Sequence, residues 1–226
     1  MSETFEAVLF DLDGTLIDTA PDFHWVINTL LTEEGMPEVS YTFIRAFVSN
    51  GARAMIQAAF NLEENDENFP RLHQRMLEIY LGHLAVNSQL FPGLDNCLKW
   101  LEEKNIPWGV VTNKPELYTL PVMQGLNLFQ KASCIICPDH VEQKKPHPES
   151  LFLACKKIGC TPEKSIYVGD HIRDIEAGKN AGMKTIASTY GYLATDEDPT
   201  TWQADHYIAC ATKLKPLLQS IYKQSI

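Results

Sequence analysis

Two aspartates separated by one residue follow a short apolar run near the start of the chain. Asp11 and Asp13 belong to the segment Asp-Leu-Asp-Gly-Thr, and the run at residues 7–10 is typical of a buried strand. Gly14 allows a turn that can bring both carboxylates and freed backbone N–H groups to the edge of a sheet, and Gly14 is itself a candidate for phosphate binding. Two acids this close repel each other unless a cation lies between them, and Mg²⁺ prefers oxygen ligands. One carboxylate could attack phosphorus while the other transfers a proton, but a surface turn explains this segment alone equally well.

Three later segments supply other groups that a phosphoryl site needs. Thr112 and Asn113 follow a second strand-like run and offer hydrogen-bond donors to phosphate oxygens. Lys145 precedes a proline that restricts its backbone, and its ammonium could neutralise a phosphate. Asp170 and Asp174 add oxygen ligands for the same cation, although Asp174 could also cap a helix. Each segment has an ordinary structural explanation by itself, but their joint order after successive strands favours one common site.

The elements that must position these residues alternate between strands and helices. Helical patterns lie at residues 94–104, 149–158 and 174–181, and strand-like runs lie at residues 7–10, 108–112, 134–137, 165–168 and 185–187. This alternation predicts an α/β fold, a Rossmann-like parallel sheet with helices on both faces.

Four consecutive helical patterns interrupt that alternation, at residues 22–34, 41–48, 52–60 and 70–84. They predict an all-helical cap domain at 17–89, inserted into a core domain formed by 1–16 and 90–226. Because the insertion begins just after the first strand, we expect the cap to lie over the strand ends, where open α/β sheets bind ligands.

The composition argues against several classes of protein. The 226 residues carry a formal net charge of -10, which disfavours a nucleic-acid or anionic-membrane surface. The sequence shows no membrane span and no signal-peptide pattern, so we expect a cytoplasmic protein. Its six cysteines are irregularly spaced and are expected to be reduced. Cys134 and Cys137 form a C-x-x-C pattern inside an apolar run, for which we predict core packing over a redox or zinc role.

The four segments together resemble the motifs of the haloacid dehalogenase superfamily, and the resemblance to its phosphatases extends over nearly the whole chain. It implies that Asp11 is the nucleophile and that Asp13 is the general acid/base, whose backbone carbonyl also binds Mg²⁺. Dehalogenases of the superfamily lack the second acid because a halide leaves without a proton. The presence of Asp13 therefore favours phosphoryl transfer.

The same resemblance assigns roles to the later segments. Thr112, with Asn113 beside it, falls on the phosphate-binding motif, and Lys145 falls on the lysine that stabilises charge. Asp170 and Asp174 fall on the acidic pair of the fourth motif, with Asp170 preferred as the direct metal ligand. The helical insertion looks like the small cap that closes over the site and excludes water.

Within the superfamily the chain is similar to the phosphoglycolate phosphatases, and more closely to the N-acetylmuramic acid 6-phosphate phosphatases. Residues 51–55, 108–115, 136–141 and 190–192 carry this finer resemblance. It implies a Mg²⁺-dependent phosphatase that acts on one of these two small phosphorylated metabolites through an aspartyl-phosphate. Both metabolites carry a carboxylate, for which Arg45 and Arg53 of the predicted cap are candidate partners. His171 stands where many relatives have a small or acidic residue, and we expect it to be exposed.

Two other functions stay open at this point. A sugar-phosphate mutase of the same fold would share every motif and would pass the phosphoryl group to a sugar hydroxyl instead of water. A non-catalytic phospho-receiver also combines clustered Asp, Thr and Lys, but it needs neither a large helical insertion nor a second Asp two residues after the first. The expected partner is the small metabolite alone, with no nucleic acid and no membrane, for a monomer or homodimer.

Overall fold

The structure, a computed structural model, describes residues 5–194 and 197–224 and is built around a parallel sheet. Its strands are β1 (Ala7–Phe10), β2 (Ile17–Asp18), β3 (Gln89–Leu90), β4 (Trp108–Val111), β5 (Cys134–Ile136), β6 (Ser165–Gly169), β7 (Lys184–Ser188) and β8 (His206–Ile208). Six of them form one sheet in the order β5-β4-β1-β6-β7-β8, and every pairing in it is parallel. This arrangement confirms the predicted fold class.

Helices cover both faces of this sheet and bury its central strands, β1, β4 and β6, on both sides. The helices are α1 (Ala20–Glu33), α2 (Tyr41–Arg45), α3 (Gly51–Phe60), α4 (Phe69–Leu81), α5 (Leu94–Glu103), α6 (Glu116–Gly125), α7 (Glu149–Ile158), α8 (Ile172–Asn180) and α9 (Leu214–Gln224). Val8 and Phe10 of β1 pack in a cluster that includes residues of α5, α6 and α9. Leu9 points to the opposite face and packs with residues of α7 and α8, as the two-residue period of a strand requires.

The helices α1–α4 lie between two short strands that pair with each other. β2 and β3 are antiparallel, with Ile17 beside Leu90, so the chain leaves and re-enters the sheet region at one place. We call residues 17–89, which include α1–α4, the cap. A 3₁₀ turn at Val48–Asn50 precedes α3 within it. None of the helices in the described ranges is long and apolar enough to cross a membrane.

Several elements were missed by the sequence prediction, each for a local reason. α6 contains Pro121, a residue that normally argues against a helix interior. β8 has three residues and only Ile208 among them is buried, which leaves too short an apolar run to recognise. α8 begins at Ile172 and not at Asp174, because His171 occupies the position before the helix and caps it.

Candidate active site

Strand register brings the predicted site residues to one edge of the sheet. Phe10, the last residue of β1, lies beside Val110 of β4 and Val168 of β6. The residues that follow these strands therefore leave the sheet side by side. The backbone N–H of Asp11 donates to the Val168 carbonyl at 2.9 Å, which extends the β1–β6 pairing to the first aspartate.

Three buried carboxylates cluster beyond these strand ends. Asp11, Asp170 and Asp174 each offer an oxygen, and these oxygens all lie within 4.8 Å of one another. Burial, followed by the charges of Asp11 and Asp174, raises the pKa of Asp170 to about 7. The raised pKa shows that three ionised carboxylates are unfavourable in this space without a cation.

Lys145 supplies part of the required positive charge. Its Nζ lies 2.9 Å from Asp11 Oδ1 and 2.7 Å from Asp174 Oδ1. It donates to the Val111 carbonyl at 3.0 Å and to the Tyr167 hydroxyl at 2.7 Å. Burial by itself lowers the pKa of Lys145, but the two carboxylates outweigh this effect and the pKa lies above its ordinary value.

The carboxylate cluster fits a divalent cation. Asp11 Oδ1 is buried, and the Lys145 ammonium at 2.9 Å is the partner that the described contacts give it. A single ammonium cannot balance three carboxylates, and oxygen donors are the ligands that hard divalent cations prefer. Asp174 Oδ2 accepts the backbone N–H of His171 at 3.1 Å, so this aspartate also caps α8. Both roles considered for Asp174 from the sequence are compatible with this geometry.

Asp13 lies beside this cluster and has different partners. Its Oδ1 accepts hydrogen bonds from Thr19 Oγ1 at 2.5 Å and from Lys114 Nζ at 2.9 Å. Lys114 also donates to the hydroxyl of Tyr80, a residue of α4 in the cap, at 2.6 Å. Sequence reasoning missed Lys114, although it directly follows Thr112 and Asn113. It also missed Tyr80, because an aromatic residue on the apolar face of a helix is usually explained by core packing.

The residues predicted to contact phosphate differ in their hydrogen-bond partners. Thr112 is buried at the site, and its hydroxyl accepts the Lys114 backbone N–H at 3.1 Å. The Asn113 side chain exchanges hydrogen bonds with the backbone of Lys145 at 3.0 and 3.1 Å, so it joins the two loops. Gly14, also a candidate for phosphate binding, donates its backbone N–H to the Ile17 carbonyl at 3.0 Å. Gly14 is required for packing, since a Cβ there would lie 2.1 Å from Asp170 Oδ2.

A cavity of about 410 Å³ separates the strand ends from the cap. The sheet side presents Asp11, Asp13, Thr112, Asn113 and Lys114, and the cap side presents Phe23, Val48, Arg53, His73, Leu77 and Tyr80. Lys145, Asp170 and Asp174 do not line it and lie behind Asp11. The cavity therefore gives access to the first aspartate through a partly aromatic chamber.

The cap also contacts the carboxylate cluster directly. Ser49 Oγ donates to Asp170 Oδ2 at 2.8 Å, and the Arg173 guanidinium donates to the Ser49 carbonyl. Asn50 Oδ1 lies 3.3 Å from His171 Nε2. These contacts join the turn before α3 to the loop that carries Asp170, so cap and core meet at the site itself.

The two candidate arginines of the cap differ in position. Arg53 lines the cavity and pairs with Glu64 at 3.0 Å. Arg45 is not among the lining residues, and its guanidinium donates to the Tyr190 carbonyl at 2.7 Å and lies over the Tyr192 ring. The structure therefore places the Arg45 guanidinium on core groups outside the cavity and places Arg53 on the cavity wall.

Two further sequence predictions are tested by burial. His171 was expected to be exposed, which is wrong: it is half-buried, and burial lowers its pKa to about 4. Cys134 and Cys137 are both buried, and burial raises their pKa values to about 12 and about 11. The C-x-x-C pattern therefore belongs to the core, as predicted.

Comparison with known proteins agrees with this geometry. The sequence model of the haloacid dehalogenase-like hydrolases matches residues 8–188. The chain belongs to this family.

Relatives and solved structures extend the match over almost the whole chain. An N-acetylmuramic acid 6-phosphate phosphatase from Pseudomonas putida is 44% identical over 214 residues, which cover 95% of this chain and 96% of that protein. A phosphoglycolate phosphatase from Xanthomonas campestris is 40% identical over 88% of this chain and 90% of its own length. A crystal structure described as a predicted phosphoglycolate phosphatase from Haemophilus somnus has a TM-score of 0.81 at 26% identity, covering 94% of this chain and 97% of that one. The predicted enzyme class, a phosphoric monoester hydrolase that acts on a phosphorylated small molecule, is confirmed.

Proposed function

We propose that this enzyme is a Mg²⁺-dependent phosphatase that hydrolyses N-acetylmuramic acid 6-phosphate through an aspartyl-phosphate on Asp11. The observation that carries the proposal is the position of Asp11, which lines the cavity beside Asp13 and Thr112 and also belongs to the buried carboxylate cluster. A carboxylate that lines a cavity, next to a second acid and to phosphate-binding groups, is placed to attack phosphorus.

The reaction follows from the arrangement of the chain's own residues. Asp11 attacks phosphorus, a bond forms between its carboxylate and the phosphoryl group, and the bond to the leaving oxygen breaks. Asp13 gives that oxygen a proton and then removes one from the water that releases phosphate from Asp11. Thr112 and the backbone N–H of Asn113 hold the phosphoryl oxygens, while Lys145 holds Asp11 in place and offsets its charge.

Asp11, Asp170 and the backbone carbonyl of Asp13 would hold the Mg²⁺ ion, with Asp174 supporting the cluster through Lys145. When bound, Mg²⁺ supplies charge neutralisation and a template for the phosphoryl group.

The cap is proposed to be a separate domain that closes over the site, with boundaries near residues 17 and 89. The contacts of Ser49 and Asn50 with the core loop support this role, because they occur at the carboxylate cluster and not at a remote surface. Closure excludes bulk water, which strengthens electrostatic interactions in the site.

Cavity size supports the larger of the two candidate substrates. A chamber of about 410 Å³ is within the ordinary range for sites that enclose ligands larger than a two-carbon acid. Its aromatic cap side suits the face of a sugar ring, and Arg53 is placed to meet a carboxylate. 2-Phosphoglycolate is the second candidate, supported by the relatives that carry that name.

A substrate screen tests the proposal. The protein is incubated with Mg²⁺ and with each phosphorylated metabolite, and inorganic phosphate is measured. We expect the highest kcat/KM with N-acetylmuramic acid 6-phosphate, and stoichiometric phosphate release, which a mutase would not give.

Asp11→Asn should lower kcat by at least about 10³-fold, because the nucleophile is lost. Asp198→Asn, a change at an exposed capping residue, is the matched control and should leave activity unchanged. Full phosphate release by Asp11→Asn would overturn the mechanism, and equal kcat/KM for both metabolites would overturn the substrate assignment.

A further inference from the structure

Lys114 connects the second aspartate of the site to the cap. Its Nζ lies 2.9 Å from Oδ1 and 3.2 Å from Oδ2 of Asp13, and 2.6 Å from the hydroxyl of Tyr80. The same ammonium lies 4.9 Å from the ring centre of Phe23 and 4.8 Å from that of Tyr80. Lys114 belongs to the core, whereas Phe23 belongs to α1 and Tyr80 to α4, so one side chain is held by both parts of the molecule.

This arrangement is costly as a purely structural device. The Lys114 side chain is almost completely buried. Removing an ammonium from water costs several kcal/mol, which its interactions with Asp13 and the aromatic rings must offset. Apolar residues of similar size often stabilise a protein as well as a buried ion pair does. Burial of a lysine between aromatic rings at the cavity wall, with the proposed proton donor as its partner, points to a role in the reaction.

Proton transfer by Asp13 requires a defined direction of its carboxyl group. The last torsion of an Asp side chain is broad, so the carboxyl plane is fixed only by its hydrogen bonds. Lys114 lies within reach of both oxygens and Thr19 donates to one of them, which defines that plane. A catalytic acid must come within about 2.6–3.2 Å of the oxygen that it protonates, so a rotated carboxyl group would miss it.

We propose that Lys114 is a positioning residue that orients Asp13 for protonation of the leaving group, and that Tyr80 makes this orientation depend on the cap. The Tyr80 hydroxyl accepts a hydrogen bond from the ammonium on the cap side, so the position of the cap affects the orientation of the Asp13 carboxyl group. This inference rests on the proposed function, in which Asp13 is the general acid.

The test compares two esters that differ in their need for a proton. N-acetylmuramic acid 6-phosphate has an alkyl leaving group, which must be protonated as it departs. p-Nitrophenyl phosphate releases a weakly basic nitrophenolate that departs without a proton. kcat/KM reports the steps up to leaving-group departure, so the ratio of kcat/KM for the two esters measures proton donation.

Lys114→Met should lower kcat/KM for the alkyl ester at least about 10-fold more than for the aryl ester, because general acid catalysis contributes about 10²–10⁴-fold. Tyr80→Phe removes only the hydroxyl and keeps the ring, and it should shift the ratio in the same direction by a smaller factor. Tyr80→Phe also keeps the inference testable if Lys114→Met fails to fold.

Lys144→Met is the matched control, since Lys144 also lines the cavity and makes no ion pair with Asp13 among the described contacts. It should change kcat/KM for both esters by the same factor. Equal losses on the two esters in Lys114→Met and in Tyr80→Phe would overturn the positioning role. Failure of the wild-type enzyme to release phosphate from either ester would instead overturn the proposed function itself.

Discussion

Two pairs of opposite charges each place one member on the cavity wall, Asp11 in one pair and Arg53 in the other, and they differ in their exposure to water. Lys145 and Asp11 have side chains that are 1% and 13% exposed, and their charged atoms are 2.9 Å apart. Arg53 and Glu64 have side chains that are 59% and 51% exposed, and theirs are 3.0 Å apart. The distances are nearly equal, so the difference between the two pairs lies in the surrounding solvent.

This difference separates the chemistry of the site from its selectivity. A buried pair cannot exchange its partner for water without a large cost, so it holds Asp11 in one place whatever the substrate is. An exposed pair contributes only about 0–1 kcal/mol and can exchange Glu64 for a carboxylate of the substrate. The core is therefore suited to a fixed reaction, and the cap to recognition that differs between related enzymes.

The largest expected effect is that of Lys145→Met. Removal of the ammonium leaves Asp11 and Asp174 buried without their partner, which should lower the free energy of unfolding by about 3–5 kcal/mol. Chemical denaturation measures this loss. Lys144→Met, one residue earlier and exposed, should change stability by less than about 0.5 kcal/mol. A similar small change in both variants would show that the buried Lys145 pair stabilises the fold no more than an exposed lysine does.

The next effect is the stabilisation of the carboxylate cluster by Mg²⁺, which is measured without an activity assay. Mg²⁺ at 100 times its dissociation constant should stabilise the wild-type protein by about 2.7 kcal/mol, since only the folded cluster binds it. Asp170→Asn removes one of the three carboxylates and should abolish most of this gain, as measured by thermal unfolding with and without Mg²⁺. Asp198→Asn should keep the full response. Equal Mg²⁺ stabilisation of wild type and Asp170→Asn would place the metal elsewhere.

The smallest expected effect belongs to the exposed pair. Arg53→Gln should raise KM for N-acetylmuramic acid 6-phosphate about 10-fold, because it removes a charged hydrogen bond to the substrate carboxylate. KM for p-nitrophenyl phosphate, which has no carboxylate, should not change. Arg71→Gln removes an exposed cap arginine that does not line the cavity and should leave both values unchanged. An equal rise in KM for both esters would show that Arg53 does not recognise the carboxylate.

Sequence patterns were most successful where a residue follows a buried strand. β1 and α7 have the predicted bounds, and Asp11, Thr112 and Asp170 meet because parallel strands end at one edge. The patterns did not reveal which partners the polar groups of a candidate residue have in the folded chain. Gly14 and Arg45 are candidates for ligand contacts from the sequence, and in the structure their polar groups bond to Ile17 and Tyr190.

The sequence by itself determined the parallel α/β character of the core and the order of the four motifs, and the family followed from their resemblance to known motifs. Local apolar periodicity and the residue types after each strand are sufficient for that. Only the tertiary structure decided which charged groups are buried together, that Lys114 holds Asp13 and Tyr80, and that Arg53 lines the cavity while Arg45 does not. The physical reason is that the strength of a charged contact depends on its exposure to water, and that exposure is fixed by segments far apart in the chain.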